Sequence, residues 1–150
     1  MQKLLFILLL IGIFAGGIYG FTRLNDTPKP QLHYITVGST PVVVEYAVTT
    51  EEWKQGLGER PILKDNRGML FLSDELRIPG FWMKGMEFPL DIIWIRNYKV
   101  IGIEHDIPVA ETEEEIKTYY PPQAVDMVLE VNAGWAEKNK IGVGAEVVLD

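Results

Sequence analysis

The sequence predicts a mainly β domain, an antiparallel β-sandwich or barrel-like fold with two short helices, preceded by one N-terminal membrane helix. Apolar, β-branched and aromatic residues occur in short runs, which suit strands better than helices. Turn-forming residues separate these runs, and only two segments have helix-capping signals. The length of 150 residues allows one domain with a modest core.

The N-terminal segment predicts the location of the protein. Residues 4–21 contain no charge, and a helix of this length, at about 1.5 Å per residue, just crosses a bilayer core. We therefore interpret residues 1–3 as a flank, 4–21 as a signal anchor, 22–30 as a polar linker and 31–150 as a single β-rich domain. We expect a single-pass protein of the cell membrane with its domain outside the cytoplasm. Cleavage near residues 15–17 would instead release it.

Two strands and a helix are predicted in the first part of the domain. Residues 33–37 and 42–48 alternate apolar and other residues as strands do. Thr49 followed by Glu52 is a capping-box pattern, so a short helix should extend to about Leu57. A further buried strand is predicted at residues 69–72.

The second half of the domain continues in the same way. A hairpin turn at residues 96–99 joins two antiparallel strands, and residues 105–123 form a long acidic surface loop. Residues 124–131 predict a strand with Val125, Met127, Leu129 and Val131 on one face and Asp126 and Glu130 on the other. Asn132 is a candidate cap for a short helix to Asn139, and a last strand follows at 146–149.

Residues 81–95 are the densest feature of the chain, with two tryptophans, two phenylalanines and two methionines. The second half of this stretch predicts a buried strand. The first half contains Gly85 and Pro89 and should therefore be a strand end turning into a loop. Lys84 and Asp91 then lie at the two ends of a rigid aromatic loop, where we expect a site.

Five segments of the domain carry a resemblance to a known family. They are Gly56-Leu57 with Arg60, Gly68-Met69-Leu70-Phe71, Phe81-Trp82-Met83-Lys84, Pro89-Leu90-Asp91-Ile92 and Leu129-Glu130-Val131-Asn132-Ala133-Gly134. Together they resemble the bacterial and archaeal family catalogued as domain of unknown function 192, in the family's order and over roughly residues 42–149. The resemblance implies a small, mostly antiparallel β domain of sandwich type, often with an N-terminal signal or anchor. It implies no activity.

The chain departs from this family pattern at a few positions. Gly58 stands where the family commonly has methionine, and Gly85-Met86 where it commonly has asparagine and threonine. Ala145 stands where aspartate is frequent. The change at residues 85–86 removes two hydrogen-bonding side chains from the loop in which we expect the site.

Composition excludes several classes of function. The net charge of −7, without a basic cluster, disfavours nucleic-acid binding. With no cysteine, the chain has no thiol nucleophile and no cysteine metal site. Its two histidines lack metal-ligand spacing, and the acidic run 111–115 lacks the order of a calcium loop. No phosphate-binding or dinucleotide motif occurs, so we predict neither metal nor cofactor.

Two carboxyl groups are candidates for chemistry. Asp91 and Glu130 across a cleft would suit general acid–base work, such as glycoside hydrolysis. The alternative is structural: Asp91 accepts hydrogen bonds from loop amides, and Glu130 pairs with Arg60 or Lys84.

Aromatic and basic residues are candidates for binding. Trp82 and Trp135 lie beside predicted loops and suit stacking on a sugar ring, whereas Trp53 suits the core. Lys84 and Arg60 together would suit an anionic group, unless each is held in an internal salt bridge.

Three hypotheses of function follow. The first is a non-enzymatic module that binds a small molecule, a glycan or an envelope protein through Arg60, Trp82, Lys84, Asp91, Glu130 and Trp135. The second is an envelope carbohydrate hydrolase that uses Asp91 and Glu130. The third is an assembly or scaffold protein whose acidic loop at 111–115 meets a basic partner.

Overall fold

The computed structural model describes residues 30–150. The predicted anchor at residues 4–21 and most of the linker lie outside the described residues. Within the described range, none of the helices is long and apolar enough to cross a bilayer. Residues 31–150 form one compact unit.

The described chain contains nine strands and two α-helices, with a 3-10 helix at Glu113–Glu115. In chain order the elements are β1 (Leu32–Val37), β2 (Thr40–Ala47), α1 (Thr50–Gln55), β3 (Arg67–Arg77), β4 (Phe81–Trp82), β5 (Leu90–Arg96), β6 (Lys99–Ile107), β7 (Thr118–Tyr119), β8 (Val125–Asn132), α2 (Trp135–Lys138) and β9 (Val147–Leu149). The prediction of a mainly β domain with two short helices is therefore confirmed.

Seven of these strands form one curled sheet in the order β6-β5-β8-β3-β2-β1-β9, which gives a half-barrel. The pairs are antiparallel except for β2 and β3, which run parallel and are joined by a crossover through α1. This pair differs from the all-antiparallel arrangement that we predicted. The two short strands β4 and β7 form a second, separate ribbon.

The curl brings the two edges of the sheet together at one end. Lys99, at the start of β6, forms an isolated antiparallel bridge with Glu146, just before β9. The amide of Val147 donates to the carbonyl of Tyr98 at 2.8 Å, and the amide of Val100 donates to that of Ala145 at 2.9 Å. These bonds satisfy backbone groups that an open edge would leave exposed to solvent or to another chain.

Around β3, β5 and β8 both faces of the sheet are buried, each by a different layer. The inner cluster takes residues from all seven strands and from α2, including Trp135 and Ala136. The outer cluster covers β3, β5 and β8 with residues of the crossover and of the segment around β4, including Leu57, Phe81 and Met86. Residues that alternate along one strand therefore enter two different apolar layers.

Local signals account for several elements. The capping box is present, because the Thr49 hydroxyl accepts from the Glu52 amide and the Glu52 carboxylate accepts from the Thr49 amide. The hairpin between β5 and β6 turns at Asn97 and Tyr98, both with positive φ, as its two-residue turn requires. Asn132 does not cap α2, contrary to the prediction. Its side-chain amide donates instead to the Leu63 carbonyl at 2.9 Å.

Asp91 occupies the place that Asn132 was predicted to fill. Its carboxylate is fully buried and accepts hydrogen bonds from the amides of Gly134 and Ala136, at the start of α2, at 3.1 and 2.9 Å. It also accepts from the amide of Asp106, near the end of β6, at 2.9 Å. Asp91 therefore joins three chain segments and satisfies helix amides that would otherwise lack partners.

We predict that Asp91→Asn destabilises the fold by roughly 2–4 kcal/mol, because an amide places its own N–H groups against buried N–H donors. The measurement is the free energy of unfolding in urea. Asp126→Asn is the matched control, since Asp126 accepts from the Asn97 amide at a more exposed position. An equal decrease in the free energy of unfolding in the two variants would contradict the role assigned to Asp91.

Candidate functional site

A pocket of about 50 Å³ lies on the outer face of the sheet, where the crossover approaches the segment around β4. Four aromatic side chains line it, and Glu130 of β8 is its acidic residue. The lining consists of Trp53, Lys54, Gln55, Gly56, Leu57, Phe71, Gly80, Phe81, Trp82, Lys84, Met86 and Glu130. The volume suffices for a few water molecules or for one small chemical group.

The aromatic walls are held by mutual edge-to-face packing. Phe71 packs against Phe81 at 4.9 Å between ring centroids and an interplanar angle of 89°, and Trp53 packs against Phe71 at 5.3 Å and 70°. The indole of Trp53 donates to the Leu72 carbonyl at 3.3 Å, and the Arg77 guanidinium lies 3.7 Å from its ring centroid. These contacts make the walls rigid. Trp82 is more open, with 44% of its surface exposed.

Glu130 is the most unusual group in the pocket. Only 5% of the residue is exposed, and its Oε2 atom has no hydrogen-bond partner among residues 30–150. Burial raises the pKa of the Glu130 carboxyl to about 8, although the positive charge of Arg60 lowers it. A buried charged group without a partner is costly, so the carboxyl is held protonated at neutral pH.

Arg60 is close enough to influence Glu130 but is occupied elsewhere. Its guanidinium binds both carboxylate oxygens of Glu45, at 2.6 and 2.7 Å. This two-bond pairing is the strong form of an arginine–carboxylate contact. Because Glu45 takes the arginine, Glu130 is left without a counter-ion, and the predicted pairing of Glu130 with Arg60 or Lys84 is not formed.

Gly56 keeps the space beside Glu130 open. Its φ is +51°, and a Cβ atom at this position would lie 3.4 Å from Cζ of Phe71 and 3.6 Å from Oε2 of Glu130. A side chain would therefore be strained and would project into the pocket. Glycine at position 56 thus leaves the buried carboxyl accessible to the pocket.

An open groove of about 800 Å³ adjoins the pocket and shares Lys54, Gln55, Trp82 and Lys84 with it. The acidic segment 111–113 lines the groove, so the predicted surface loop is one of its walls. Lys84 lies 3.6 Å from Glu113, but both side chains are largely exposed, so this contact is weak. Four acidic and two basic residues line the groove: Glu51, Glu59, Glu111, Glu113, Lys54 and Lys84.

The structure separates the two carboxyl groups considered for catalysis. Across the β5–β8 ladder, Asp91 is opposite Val131 and Ile92 is opposite Glu130. Neighbouring residues of a strand face opposite sides of a sheet, so Asp91 faces the inner layer and Glu130 the outer one. The predicted acid–base pair is therefore not assembled, and Asp91 is held by backbone amides instead.

Trp135 also lies away from the pocket. It belongs to the inner cluster and lines a separate depression with Asp65, Asn66 and Lys138. Of the predicted binding residues, the pocket brings together Trp82, Lys84 and Glu130, with Arg60 nearby through its effect on the Glu130 carboxyl.

Sequence reasoning missed the walls that α1 and β3 contribute. Trp53 was assigned to the core, but it is half-buried and lines the pocket with Phe71. A connection of nearly twenty residues between two strands, with a helix inside it, is the usual signal of a crossover between parallel strands. That signal would have placed α1 on one face of the sheet.

Two departures from the family pattern lie side by side in this region. A Cβ at Gly58 would approach the carbonyls of Lys84 and Gly85, at 3.6 and 3.7 Å, and the Glu59 amide donates to the Gly85 carbonyl at 2.7 Å. Met86 is buried against the pocket. The changed positions therefore form part of the rim and wall of the site.

Comparison with known proteins identifies a family but no activity. The family model DUF192, described as Uncharacterized ACR, matches residues 33–149. A crystal structure of a protein of unknown function from Novosphingobium aromaticivorans DSM 12444 is 31% identical, with a TM-score of 0.71, and the match covers 82% of this chain and 89% of that one. Among curated proteins, none matches the sequence significantly.

A second solved structure has a similar fold and a lower sequence identity. It is described as a candidate transcription regulator from Sinorhizobium meliloti 1021 and is 26% identical, with a TM-score of 0.70. The match covers 81% of this chain and 95% of that chain.

The environment of Glu130 predicts a specific pH dependence of stability. Its pKa is about 8 in the folded protein, above the ordinary value of 4.5, so the folded state binds more protons between these two values. Stability from this residue is therefore greatest below about pH 4.5 and is lost as the pH rises to about 8. Glutamine at position 130 does not titrate. We therefore predict that the free energy of unfolding of Glu130→Gln rises relative to that of the wild type by roughly 1.4 kcal/mol for each pH unit across this window.

The measurement is urea unfolding of both proteins at several pH values between 5 and 8, a range set by the ordinary and raised pKa values of Glu130. The matched control is Glu137→Gln, which makes the same side-chain replacement at an exposed position on α2 and should keep the wild-type slope. A constant difference between Glu130→Gln and wild type at all pH values would contradict the prediction.

Proposed function

The chain belongs to the DUF192 family, and from this premise we propose that it is a binding module rather than an enzyme. The ligand enters the Glu130 pocket and extends into the adjoining groove. The observation that supports this proposal is the carboxyl of Glu130, which is buried without a partner beside open space.

Two physical arguments connect this observation with binding. Folded proteins seldom leave a buried carboxyl unpaired, because the unsatisfied group lowers stability. Such groups concentrate at sites where a ligand supplies the missing partner. The rigid aromatic walls and the concave shape around Glu130 are also typical of small-molecule sites.

Binding is favoured over catalysis because Glu130 lacks a catalytic partner. Among the described residues that line the pocket, the other titratable side chains belong to Lys54 and Lys84, both at the solvent-exposed rim. Asp91 faces the opposite side of the sheet, so a hydrolase with these two carboxyl groups is not supported. The ligand classes that we propose are a free small molecule, a glycan and a segment of an envelope protein.

We further propose that residues 4–21 hold the protein in the cell membrane and that the domain faces outward. The uncharged N-terminal stretch supports this location. The net charge of −7 and the acidic groove favour neither DNA nor RNA as the partner, in spite of the similarity to a candidate transcription regulator.

The test is ligand-observed NMR on the purified full-length chain with pools of envelope sugars and small metabolites. We expect saturation-transfer signals from at least one ligand, and we expect Trp82→Ala to weaken its affinity about tenfold by removing one wall of the pocket.

The matched control for this variant is Tyr34→Ala, which removes an exposed aromatic side chain from β1. Binding that survives in the control and weakens in Trp82→Ala would support the proposal. Absence of signals in all pools, with the wild type folded by circular dichroism, would overturn it.

A further inference from the structure

We propose that the ligand is an aliphatic amine whose protonated end enters the Glu130 pocket and whose chain extends along the acidic groove. This inference rests on the proposed binding function and adds the chemical class of the ligand. It is argued from two adjoining features of the surface, the buried pocket and the acidic groove.

The pocket has the composition of an ammonium site. A carboxyl group lies among Trp53, Phe71, Phe81 and Trp82, and the negative face of an aromatic ring attracts a cation. One cation already makes such a contact in this region, since the Arg77 guanidinium lies over the Trp53 ring. An ammonium group presents three N–H donors and a full positive charge, whereas a hydroxyl group presents one donor and no charge.

The charge state of Glu130 agrees with a cationic ligand. Its carboxyl lacks a counter-ion because Arg60 is bound to Glu45, and the lysines of the rim are exposed. Burial therefore keeps the empty site protonated, with the pKa raised to about 8. A bound ammonium group would supply the missing positive charge and stabilise the ionised form. An anionic ligand would add to the cost of ionisation.

The groove also favours a cationic ligand, because acidic side chains predominate along it. Acidic residues outnumber basic ones along it by four to two, and Glu113 partly neutralises Lys84. A second ammonium group, carried a few carbon atoms from the first, would lie among Glu51, Glu59 and Glu111. The carbon chain between the two groups would pack against the exposed face of Trp82.

Two sources can supply this chemistry: a free diamine or polyamine, and a lysine side chain of a peptide. Both carry a primary ammonium group on an unbranched aliphatic chain. They differ beyond the chain, because a diamine ends in a second cation and a lysine ends in a peptide backbone. The acidic groove favours the diamine.

The experiment measures dissociation constants of the full-length chain at neutral pH by NMR titration. The probes are cadaverine, pentylamine, pentanediol, glutarate and Nα-acetyl-lysine amide, which have similar chain lengths and different end groups. We expect cadaverine to bind at least tenfold more tightly than pentanediol or glutarate, because only the amine offers the carboxyl a charged partner. We also expect it to bind more tightly than pentylamine and acetyl-lysine amide.

Variants locate the bound amine. Glu130→Gln should weaken cadaverine binding about tenfold or more, and Glu137→Gln, the same side-chain replacement at an exposed position on α2, should leave the affinity unchanged. Trp82→Ala provides a second test that leaves the carboxyl intact.

The outcomes separate this inference from the proposed function. Binding of cadaverine that neither Glu130→Gln nor Trp82→Ala weakens would overturn the inference. Binding of a sugar, pentanediol or glutarate that depends on Trp82, together with no binding of amines, would overturn it while the binding module remains. Tighter binding of acetyl-lysine amide than of cadaverine would assign the site to a peptide and overturn the preference for a free diamine.

Discussion

The carboxylate of Asp91 is the contact on which the two layers of the domain depend. It lies on β5, the strand next to the edge strand β6, and accepts hydrogen bonds from backbone amides at the end of β6 and at the start of α2. Those bonds hold Trp135 and Ala136 over the inner core. Because β8 runs directly into α2, they also set where β8 ends, and with it the position of Glu130 beneath the aromatic layer. A polar contact on one face thus helps to position a site on the other.

The two buried carboxyl groups show opposite solutions to the same electrostatic problem. Asp91 is fully buried, yet its carboxylate accepts hydrogen bonds from three backbone amides, so its burial is compensated within the chain. Glu130 lies one ladder position away on the next strand, and the arginine that would serve it is bound to Glu45. A chain optimised for stability alone would have no reason to retain this arrangement. The unpaired group therefore marks the site more clearly than any of the neighbouring aromatic residues do.

Local elements could be predicted from the sequence, but the way in which they pair and pack could not. The capping box and the two-residue hairpin depend on neighbouring residues, so Thr49, Glu52, Asn97 and Tyr98 could be interpreted directly. Alternation along β8 placed Glu130 on the face opposite Met127, Leu129 and Val131, but periodicity could not tell that a second apolar layer covers the Glu130 face. The layer comes from α1 and from the segment around β4, and the parallel pairing of β2 with β3 brings α1 there. The lining of the pocket depends on pairings between strands that are distant in the chain, and a single sequence carries little information about such pairings.

The position of β1 has a consequence for the synthesis of the chain. One edge of β1 pairs with β2 and the other with β9, whose Val147 completes the inner core against Val37. The ribosome delivers β1 early and β9 late, so one edge of β1 lacks its partner until nearly all of the domain has emerged. The sheet is therefore completed only when the last strand has been synthesised, and until then this edge is open to pairing with another chain.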